Sequence, residues 1–298
     1  MIVLGNYYNF THEDLITCKN MYGISCAQKA TDEYIETITE QKDTDTIIIN
    51  TSSNIANKII KKIEVVNNNI KYIYIQDFLE KYLKKYYIDY SLTLDETTDI
   101  KPYSKFEYLI KRIMDFLISI PLLIITLPIF IYSAYKIKKE SPDGSILFKQ
   151  TRVGQDGKEF ICYKFRSMRT DVDYYNKYTE EDDPRIFPWG KFMRKCRIDE
   201  LPQLWNVLKG DMHLIGPRAE WNKLVKEYEQ KIPHYNLRHT VKPGITGWAQ
   251  VMYHYGSNIE DTKQKLMYDL YYIKNWSLWL EIKTIFKTIL VVIGKKGM

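Results

Sequence analysis

Phe116-Leu-Ile-Ser-Ile-Pro-Leu-Leu-Ile-Ile-Thr-Leu-Pro-Ile-Phe-Ile-Tyr-Ser-Ala-Tyr135 runs for 20 residues without a charge, the length a helix needs to cross a bilayer. Two prolines interrupt it. Pro121 and Pro128 each remove a helical hydrogen bond and push a ring against the preceding turn, which predicts a kink. Lys101, Lys105, Lys111 and Arg112 precede the segment, and Lys136, Lys138 and Lys139 follow it. Cytoplasmic flanks attract Lys and Arg, so cations on both sides place both ends on the cytoplasmic face. The expectation is a re-entrant helix over about residues 110–136, anchored by Lys111, Arg112, Pro121 and Pro128 in the cytoplasmic face of the membrane. A straight span with the N-terminal part outside is the alternative. Twenty apolar residues are too many for the ordinary core helix of a soluble protein.

Charge divides the chain on either side of this segment. Residues 1–100 hold 10 Lys, no Arg and 15 Asp or Glu, net −5, whereas residues 101–298 hold 33 basic and 22 acidic side chains, net +11. All nine Arg lie in the second part. Arg is the fork for phosphate and carboxylate, so the second part points to anionic small molecules, lipid headgroups or nucleic acid. Cys18, Cys26, Cys162 and Cys196 show no CxxC pairing and suit a reducing compartment. The N-terminus has neither a basic region nor a long apolar stretch, so no signal peptide is expected.

Within the first part, Ile2-Val-Leu4, Thr46-Ile-Ile-Ile-Asn50 and Tyr72-Ile-Tyr-Ile75 read as short strands. Helical stretches are expected near Asp32–Thr39, Asn54–Val65 and Asp77–Tyr86, with Thr51, Ser52 and Asp77 as caps. Alternating strands and helices predict a parallel sheet. Gly5 is followed by Asn6, Tyr7 and Tyr8, so the Gly-rich dinucleotide fingerprint is missing. The expectation is a Rossmann-like α/β domain over residues 1–88 without nicotinamide chemistry, a linker over 89–104, and a mainly α, membrane-embedded catalytic domain over 105–298. Leu278–Ile293 repeats its apolar residues at helical spacing, with Lys283 and Lys287 on another face. It suits an interfacial amphipathic helix or a core helix.

The second part carries the chemistry. In Leu147-Phe-Lys-Gln-Thr-Arg-Val-Gly-Gln-Asp-Gly-Lys-Glu-Phe-Ile-Cys-Tyr-Lys-Phe-Arg-Ser-Met168 the glycines predict a hairpin. Its second strand places Lys164 and Arg166 on one face, where a diphosphate could lie. Downstream, Arg197-Ile-Asp-Glu-Leu-Pro-Gln-Leu-Trp-Asn-Val-Leu-Lys209 sets the Asp199-Glu200 pair before a proline that fits only a first helical turn. Asp199 is the expected N-cap, in a cationic neighbourhood of Lys191, Arg194, Lys195 and Arg197. Loops at Asp183-Pro-Arg185, Gly210–Arg218 and Lys242–Val251 combine turn residues with single cations. His213, His234, His239 and His254 have no metal-ligand spacing, so zinc is not expected. No groove-reading basic helix is present, and nucleic acid is not an expected partner.

These motifs, taken together, closely resemble the bacterial sugar transferase family, the monotopic phosphoglycosyl transferases. The resemblance covers about two thirds of the chain. It runs through Lys111-Arg112-x-x-Asp115, the Pro-broken helix, Phe148-Lys-Gln-x-Arg-x-Gly154 and Tyr163-Lys-Phe-Arg-Ser-Met168. It continues through Asp199-Glu-Leu-Pro-Gln-Leu-x-Asn-Val-Leu-Lys-Gly-Asp-Met212, Gly216-Pro-Arg218 and Lys242-Pro-Gly-Ile-Thr-Gly-Trp-Ala-Gln250. The resemblance implies transfer of a phosphosugar from a UDP-sugar to polyprenyl (undecaprenyl) phosphate with Mg²⁺, as the first membrane step of a bacterial glycan. A covalent intermediate would form on Asp199, which would also contact the metal. Glu200 would assist, and Lys164, Arg185, Arg194 and Arg218 would hold phosphates. A second copy of the chain, membrane lipids and later glycosyltransferases are the further expected partners. A catalytically silent scaffold that binds nucleotide sugar is the competing reading, and the intact acidic pair argues against it. The chain departs from the family pattern at Leu127, where Ser is common before the proline. It departs again at Pro217-Arg218-Ala219, which replaces Pro-Arg-Pro, and at His213, which replaces Ser. No run of several transmembrane helices precedes the family region.

Overall fold

A computed structural model describes residues 1–29, 46–51, 53–66, 71–88, 100–172, 183–253 and 258–294. The expected helix at Asp32–Thr39, the cap Ser52, His254 and most of the expected linker lie outside the described residues. The chain divides into two units, Met1–Asp89 and Tyr90–Met298.

In the first unit, three-residue runs of β-branched and aromatic side chains form the strands β1 (Ile2–Leu4), β3 (Ile47–Ile49) and β4 (Tyr72–Tyr74). A further strand, β2 (Ala27–Lys29), pairs on the other side of β1. All pairings are parallel, in the order β2-β1-β3-β4. Ile2, Leu4, Ile47 and Ile49 pack against Ala56, Ile59 and Ile60 of the helix α2 (Ser53–Val66). Each fully buried aliphatic side chain contributes about 1.5–3 kcal/mol. The turn after β1 requires glycine for close approach: Gly5 sits at φ +101°, and a Cβ there would lie 2.2 Å from the Asn50 carbonyl oxygen. The buried Asn50 side chain closes this turn by accepting from the Tyr8 amide at 2.7 Å and donating to the Tyr8 carbonyl at 2.8 Å. The turn is filled by its own polar groups.

Two elements of this unit depart from the expected pattern. The helix α1 (His12–Tyr22) was not expected, because only Asp14 and Cys18 of its residues are buried and no apolar stripe marks it. Its signals are terminal ones: a Thr11–Asp14 capping box and a left-handed Gly23. Asp77 does not cap a helix. It lies inside a short helix α3 (Ile75–Phe78), which widens into a π turn at Leu79–Leu83 and stops at the left-handed Lys84. The following Lys85 is fully buried and bonds Asp14 Oδ1 at 2.6 Å and the Tyr8 hydroxyl at 3.0 Å. Burial pushes its ammonium pKa down, and Asp14 opposes that.

The second unit is built on the helix α4 (Lys105–Glu140), 36 residues long with both prolines inside it and a Ser104–Glu107 capping box at its start. It is long and apolar enough to cross a membrane, and only 17% of its most apolar window is buried. Leu117, Ile124, Ile125 and Ile131 are each about two thirds exposed or more. So wide an apolar surface is not tolerated in water and marks a lipid or protein contact. Before the second proline, next to Leu127, the Thr126 hydroxyl donates to the Leu122 carbonyl at 2.6 Å.

Lys111 and Arg112 point into the protein rather than toward headgroups. Lys111, fully buried, donates to Glu281 Oε1 at 2.8 Å, the Tyr272 hydroxyl at 2.7 Å and the Ile215 carbonyl at 3.0 Å. Arg112 bonds Asp115 at 3.0 Å and the Val207 carbonyl at 2.8 Å. Asp115 accepts from the Leu214 amide at 2.9 Å and lies 2.6 Å from His213 Nδ1. At the other end of α4, Glu140 accepts from the Trp189 amide at 2.7 Å, and Phe130 and Ile137 pack with Phe165, Phe187 and Met193. Both ends of the apolar helix are thus held by the same unit.

After α4 come the antiparallel hairpin β5 (Leu147–Val153) and β6 (Glu159–Phe165), the helix α5 (Pro188–Lys195), a 3-10 turn at Ile198–Glu200 and the helix α6 (Gln203–Lys209). The strand β7 (His213–Ile215) pairs in parallel with β8 (Gly244–Thr246), and between them lie the helix α7 (Asn222–Lys231) and a 3-10 turn at Tyr235–Thr240. The helices α8 (Trp248–Met252), α9 (Ile259–Lys274) and α10 (Leu278–Ile293) follow. In α10 the buried face carries Leu280, Glu281 and Thr284, while Trp279, Phe286 and Ile293 are more than 60% exposed. The apolar stripe therefore faces outward, with Lys283 and Lys287 folded back over the Trp248 ring at 5.8 and 5.9 Å.

Removing one partner of a buried pair strands the other charge. Glu281→Ala should therefore lower stability by about 3–5 kcal/mol, read as a fall in the thermal midpoint of the detergent-solubilised protein. A change within about 0.5 kcal/mol, the range of an ordinary surface substitution, would refute a structural role for this pair.

Candidate active site

Asp199 does not cap a helix. Pro202 occupies the N-cap of α6 without a side-chain cap bond, and the amides of Leu204 and Trp205 are taken by the carbonyls of Leu201 and Pro202 at 3.0 and 3.1 Å. Local i to i−3 bonds leave the carboxylate no donors to cap. Asp199 instead sits in the 3-10 turn, 8% exposed, with Oδ1 buried and without a hydrogen-bond partner. The preceding Arg197 holds the left-handed conformation at φ 59°, ψ 17°, an uncommon state for a residue with a Cβ and a source of local strain.

Glu200, 5% exposed, is the opposite case. Its Oε1 accepts from Lys164 Nζ at 2.7 Å and from Arg218 Nη2 at 3.0 Å, and Arg197 Nη1 lies 3.9 Å away. Burial alone would push this carboxyl up, but Arg218, Lys164 and Arg197 hold it well below the usual carboxylate range. Asp199 is pushed up from the ordinary 3.8, first by burial and then by the Glu200 charge, against the pull of Lys164, Arg194 and Arg197. One acid is a fixed anion, and its neighbour is a basic, unpartnered carboxylate.

The elements that deliver these groups come from across the unit. Lys164 projects from β6, in register with Phe148 of β5. Arg166, just past the end of β6, does not join it: 5% exposed, it donates to the Ser141 carbonyl at 2.7 Å and the Ser145 carbonyl at 2.6 Å, tying the end of α4 to the hairpin. Arg194, in the last turn of α5, makes a 3.4 Å bond to Ser167 and keeps a buried Nε without a partner. Arg185 forms a two-point pair with Asp183 at 2.9 and 2.6 Å, within the Asp183-Pro-Arg185 turn and not on the acidic pair. Arg218 stands after β7, where Gly216 and Gly244 let two backbones meet: a Cβ on Gly244 would lie 2.1 Å from the Gly216 nitrogen.

Of the further groups in this network, Arg197 was expected only as one of the cations near Asp199, and Arg238 was not expected at all. Arg197 enters the Glu200 cluster by way of its left-handed turn, which nothing in its neighbours' residue types announces. Arg238, also 5% exposed, bonds Asp269 at 2.7 Å and donates to the Arg218 carbonyl at 2.9 Å, so a second buried ion pair fixes the loop that aims Arg218. Among the described residues no group of three or more His, Cys, Asp or Glu comes together to hold a metal.

A buried acidic pair ringed by cations on the loops of a unit rooted in an apolar helix defines the class. The chain belongs to the bacterial sugar transferase family, whose profile matches residues 106–295. Among individual proteins it is 46% identical over 189 residues to an Aeromonas hydrophila protein named UDP-N-acetylgalactosamine-undecaprenyl-phosphate N-acetylgalactosaminephosphotransferase, covering 63% of this chain and 44% of that one. It is 42% identical over 190 residues to the UDP-glucose:undecaprenyl-phosphate glucose-1-phosphate transferase of Xanthomonas campestris pv. campestris, covering 62% of this chain and 39% of that one. It is 37% identical over 245 residues to the galactosyl transferase CpsE of Streptococcus agalactiae, covering 78% and 52%. The chain thus spans between 39% and 52% of the length of these relatives.

Glu200→Gln removes the charge that repels ionisation of Asp199 and frees Lys164 and Arg218 to favour it. The Asp199 carboxyl pKa should therefore fall, as followed by its carboxylate infrared band or by ¹³C NMR. A rise would refute the electrostatic division drawn between the two acids.

Proposed function

We propose that the protein transfers a sugar-1-phosphate from a UDP-sugar to undecaprenyl phosphate and releases UMP, as the first membrane step of a bacterial glycan. The observation that carries this reading is the unpartnered, buried Asp199 carboxylate beside a Glu200 kept ionised by Lys164 and Arg218. Relatives matching the same region are named for transfer of sugar phosphates to undecaprenyl phosphate.

Asp199 acts as the nucleophile. Its carboxylate oxygen bonds to the β-phosphorus of the donor while the bond from that phosphorus to the bridging oxygen breaks, and the oxygen leaves with UMP. A phosphate oxygen of the acceptor then attacks the phosphosugar on Asp199 and returns the free carboxylate. Splitting the exchange in two spares the donor diphosphate and the acceptor phosphate from meeting directly. A carboxylate pushed up by burial is a better nucleophile than a solvated one, and the cations around it offset the charge of the phosphates. Glu200, held low, serves less as a base than as the fixed counter-charge that gathers Lys164, Arg218 and Arg197. Arg194, with its partnerless Nε, is the phosphate ligand that needs least rearrangement. Arg185, already paired with Asp183, is the one that needs most.

Mg²⁺ fits this chemistry. The orphaned Asp199 Oδ1 is a hard oxygen ligand, and Mg²⁺ is commonly held by one or two carboxylates plus substrate phosphates. When bound, it supplies charge neutralisation at the diphosphate.

The apolar helix is read as re-entrant, which makes the protein monotopic on the cytoplasmic face. Support comes from Lys111 at one end of α4 and Glu140 at the other, each bonded into the same unit. A straight crossing would carry the two ends apart by the thickness of the bilayer, about 30 Å of hydrocarbon. The outward apolar stripe of α10 supports an interfacial placement beside it.

Detergent-solubilised protein offered a panel of UDP-sugars should release one UMP per enzyme without acceptor and turn over when polyprenyl phosphate is added. Asp199→Asn should remove both signals; an active Asp199→Asn, or no UMP with any sugar, refutes the covalent mechanism. For topology, Lys101→Cys and Asp143→Cys should both label from the cytoplasmic side of sealed vesicles. Labelling from opposite sides would establish a span.

A further inference from the structure

Beside the acidic pair lies a cavity of about 290 Å³, framed by α4, α6, the β7–β8 pair, α8 and α10. Ile118 and Leu122 of α4, Leu204 of α6, Ile245 of β8, and Ile285 and Val292 of α10 are representative of its walls. Among the described lining residues none is aromatic. The wall hydroxyls of Thr246 and Thr288 are bonded to each other at 2.8 Å, which removes their polarity from the lumen. Charge enters only through Arg197 and Glu200, the residues that flank the Ile198-Asp199 step. Glu200 is already held by Lys164 and Arg218, neither of which lines the cavity. Arg197 is thus the cation turned to this side.

These features choose between the two substrates of the proposed reaction. A nucleobase is held by stacking and by several hydrogen bonds to its edges; the walls offer no ring to stack on and, apart from Arg197 and Glu200, a single uncommitted polar atom, the Gln250 side-chain oxygen. A branched aliphatic chain headed by a phosphate needs an aliphatic wall and a cation at its mouth. Two of the helices that frame the cavity, α4 and α10, also carry the outward apolar faces, so a chain leaving the lumen passes onto a surface suited to lipid.

We propose that this cavity is the acceptor subsite: it takes the phosphate-proximal isoprene units of the polyprenyl phosphate, with Arg197 on the phosphate and the remainder of the chain running out between α4 and α10. The proposal rests on the transferase reading for its ligand. The donor diphosphate then falls to Lys164, Arg194 and Arg218, and the two substrates approach Asp199 over different cations. The volume admits the start of the chain only. Recognition therefore concerns the first isoprene units and the phosphate rather than total chain length.

Two measurements test this separately from the chemistry. In the wild-type protein, a prenyl phosphate bearing a diazirine near its phosphate end should label residues 245–251, and excess undecaprenyl phosphate should compete while phosphatidylglycerol should not. Label found only on the outer face of α10, at Trp279, Phe286 or Ile293, or label displaced equally by phosphatidylglycerol, overturns the proposal in favour of bulk lipid. Because this readout needs no turnover, a protein that labels as expected but releases no UMP would sink the catalytic reading and leave the acceptor site standing. In turnover, Ile285→Trp fills the cavity, and Arg197→Asn removes the cation while tolerating the left-handed turn. Each should raise the KM for polyprenyl phosphate about tenfold and move the KM for UDP-sugar by less than about twofold. Equal changes in both KM values would overturn the assignment.

Discussion

The ammonium of Lys111 is the point on which the second unit turns. It is fully buried at the root of an apolar helix, and it binds side chains of α9 and α10 and the last carbonyl of β7. Leaving a lysine so deep without partners would cost several kcal/mol, and a single carboxylate seldom recovers that cost. Here Glu281, the Tyr272 hydroxyl and a backbone oxygen share it, with the rings of Tyr103, Tyr272 and Trp276 within 6 Å of the ammonium. The result is a joint of fixed geometry rather than a greasy contact that could slide. Arg112 and Asp115, one turn on, extend it to α6 and to the start of β7. The start of β7 and the end of α6 are thereby placed relative to the apolar helix.

From that joint follows a division of labour between adjacent acids. Glu200 and Asp199 are neighbours in sequence and similarly buried, yet their carboxyls are driven in opposite directions. The difference is geometric: Glu200 reaches Lys164 and Arg218 directly, whereas Asp199 Oδ1 reaches no donor. A carboxylate satisfied by cations is a poor nucleophile, and one kept desolvated and unbonded is a good one. The strained Arg197 and the short 3-10 turn hold the pair in this asymmetric pose. Arg238 and Asp269 do the same for the Arg218 loop from behind.

Much of the fold was legible where one residue type leaves a single physical option. Runs such as Ile47–Ile49 had to be buried strand, and a 20-residue uncharged stretch could not be an ordinary surface helix. α1 was illegible by periodicity because it buries so little, although its capping box was written out in Thr11–Asp14. Among the site residues, Lys164 and Arg218 do meet Glu200. Arg166, equally promising on the strand, proved to be a backbone clamp, and Lys111 and Arg112 proved to be internal struts. A cation's residue type says that it will find an anion or a carbonyl; it does not say which.

By itself, the sequence determined the two-part charge division, the apolar helix with its prolines, and an acidic pair preceding Pro202 in a field of arginines. These are properties of composition and local order, and local chemistry suffices to read them. Only the tertiary structure decided that Asp199 is unbonded while Glu200 is saturated, that both ends of the apolar helix make bonds within one unit, and that a largely aliphatic cavity opens beside the pair. Those outcomes depend on contacts between residues dozens of positions apart, such as Lys164 with Glu200 or Lys111 with Glu281. Hydrogen bonds and burial are settled by such neighbours in space, which no local pattern encodes.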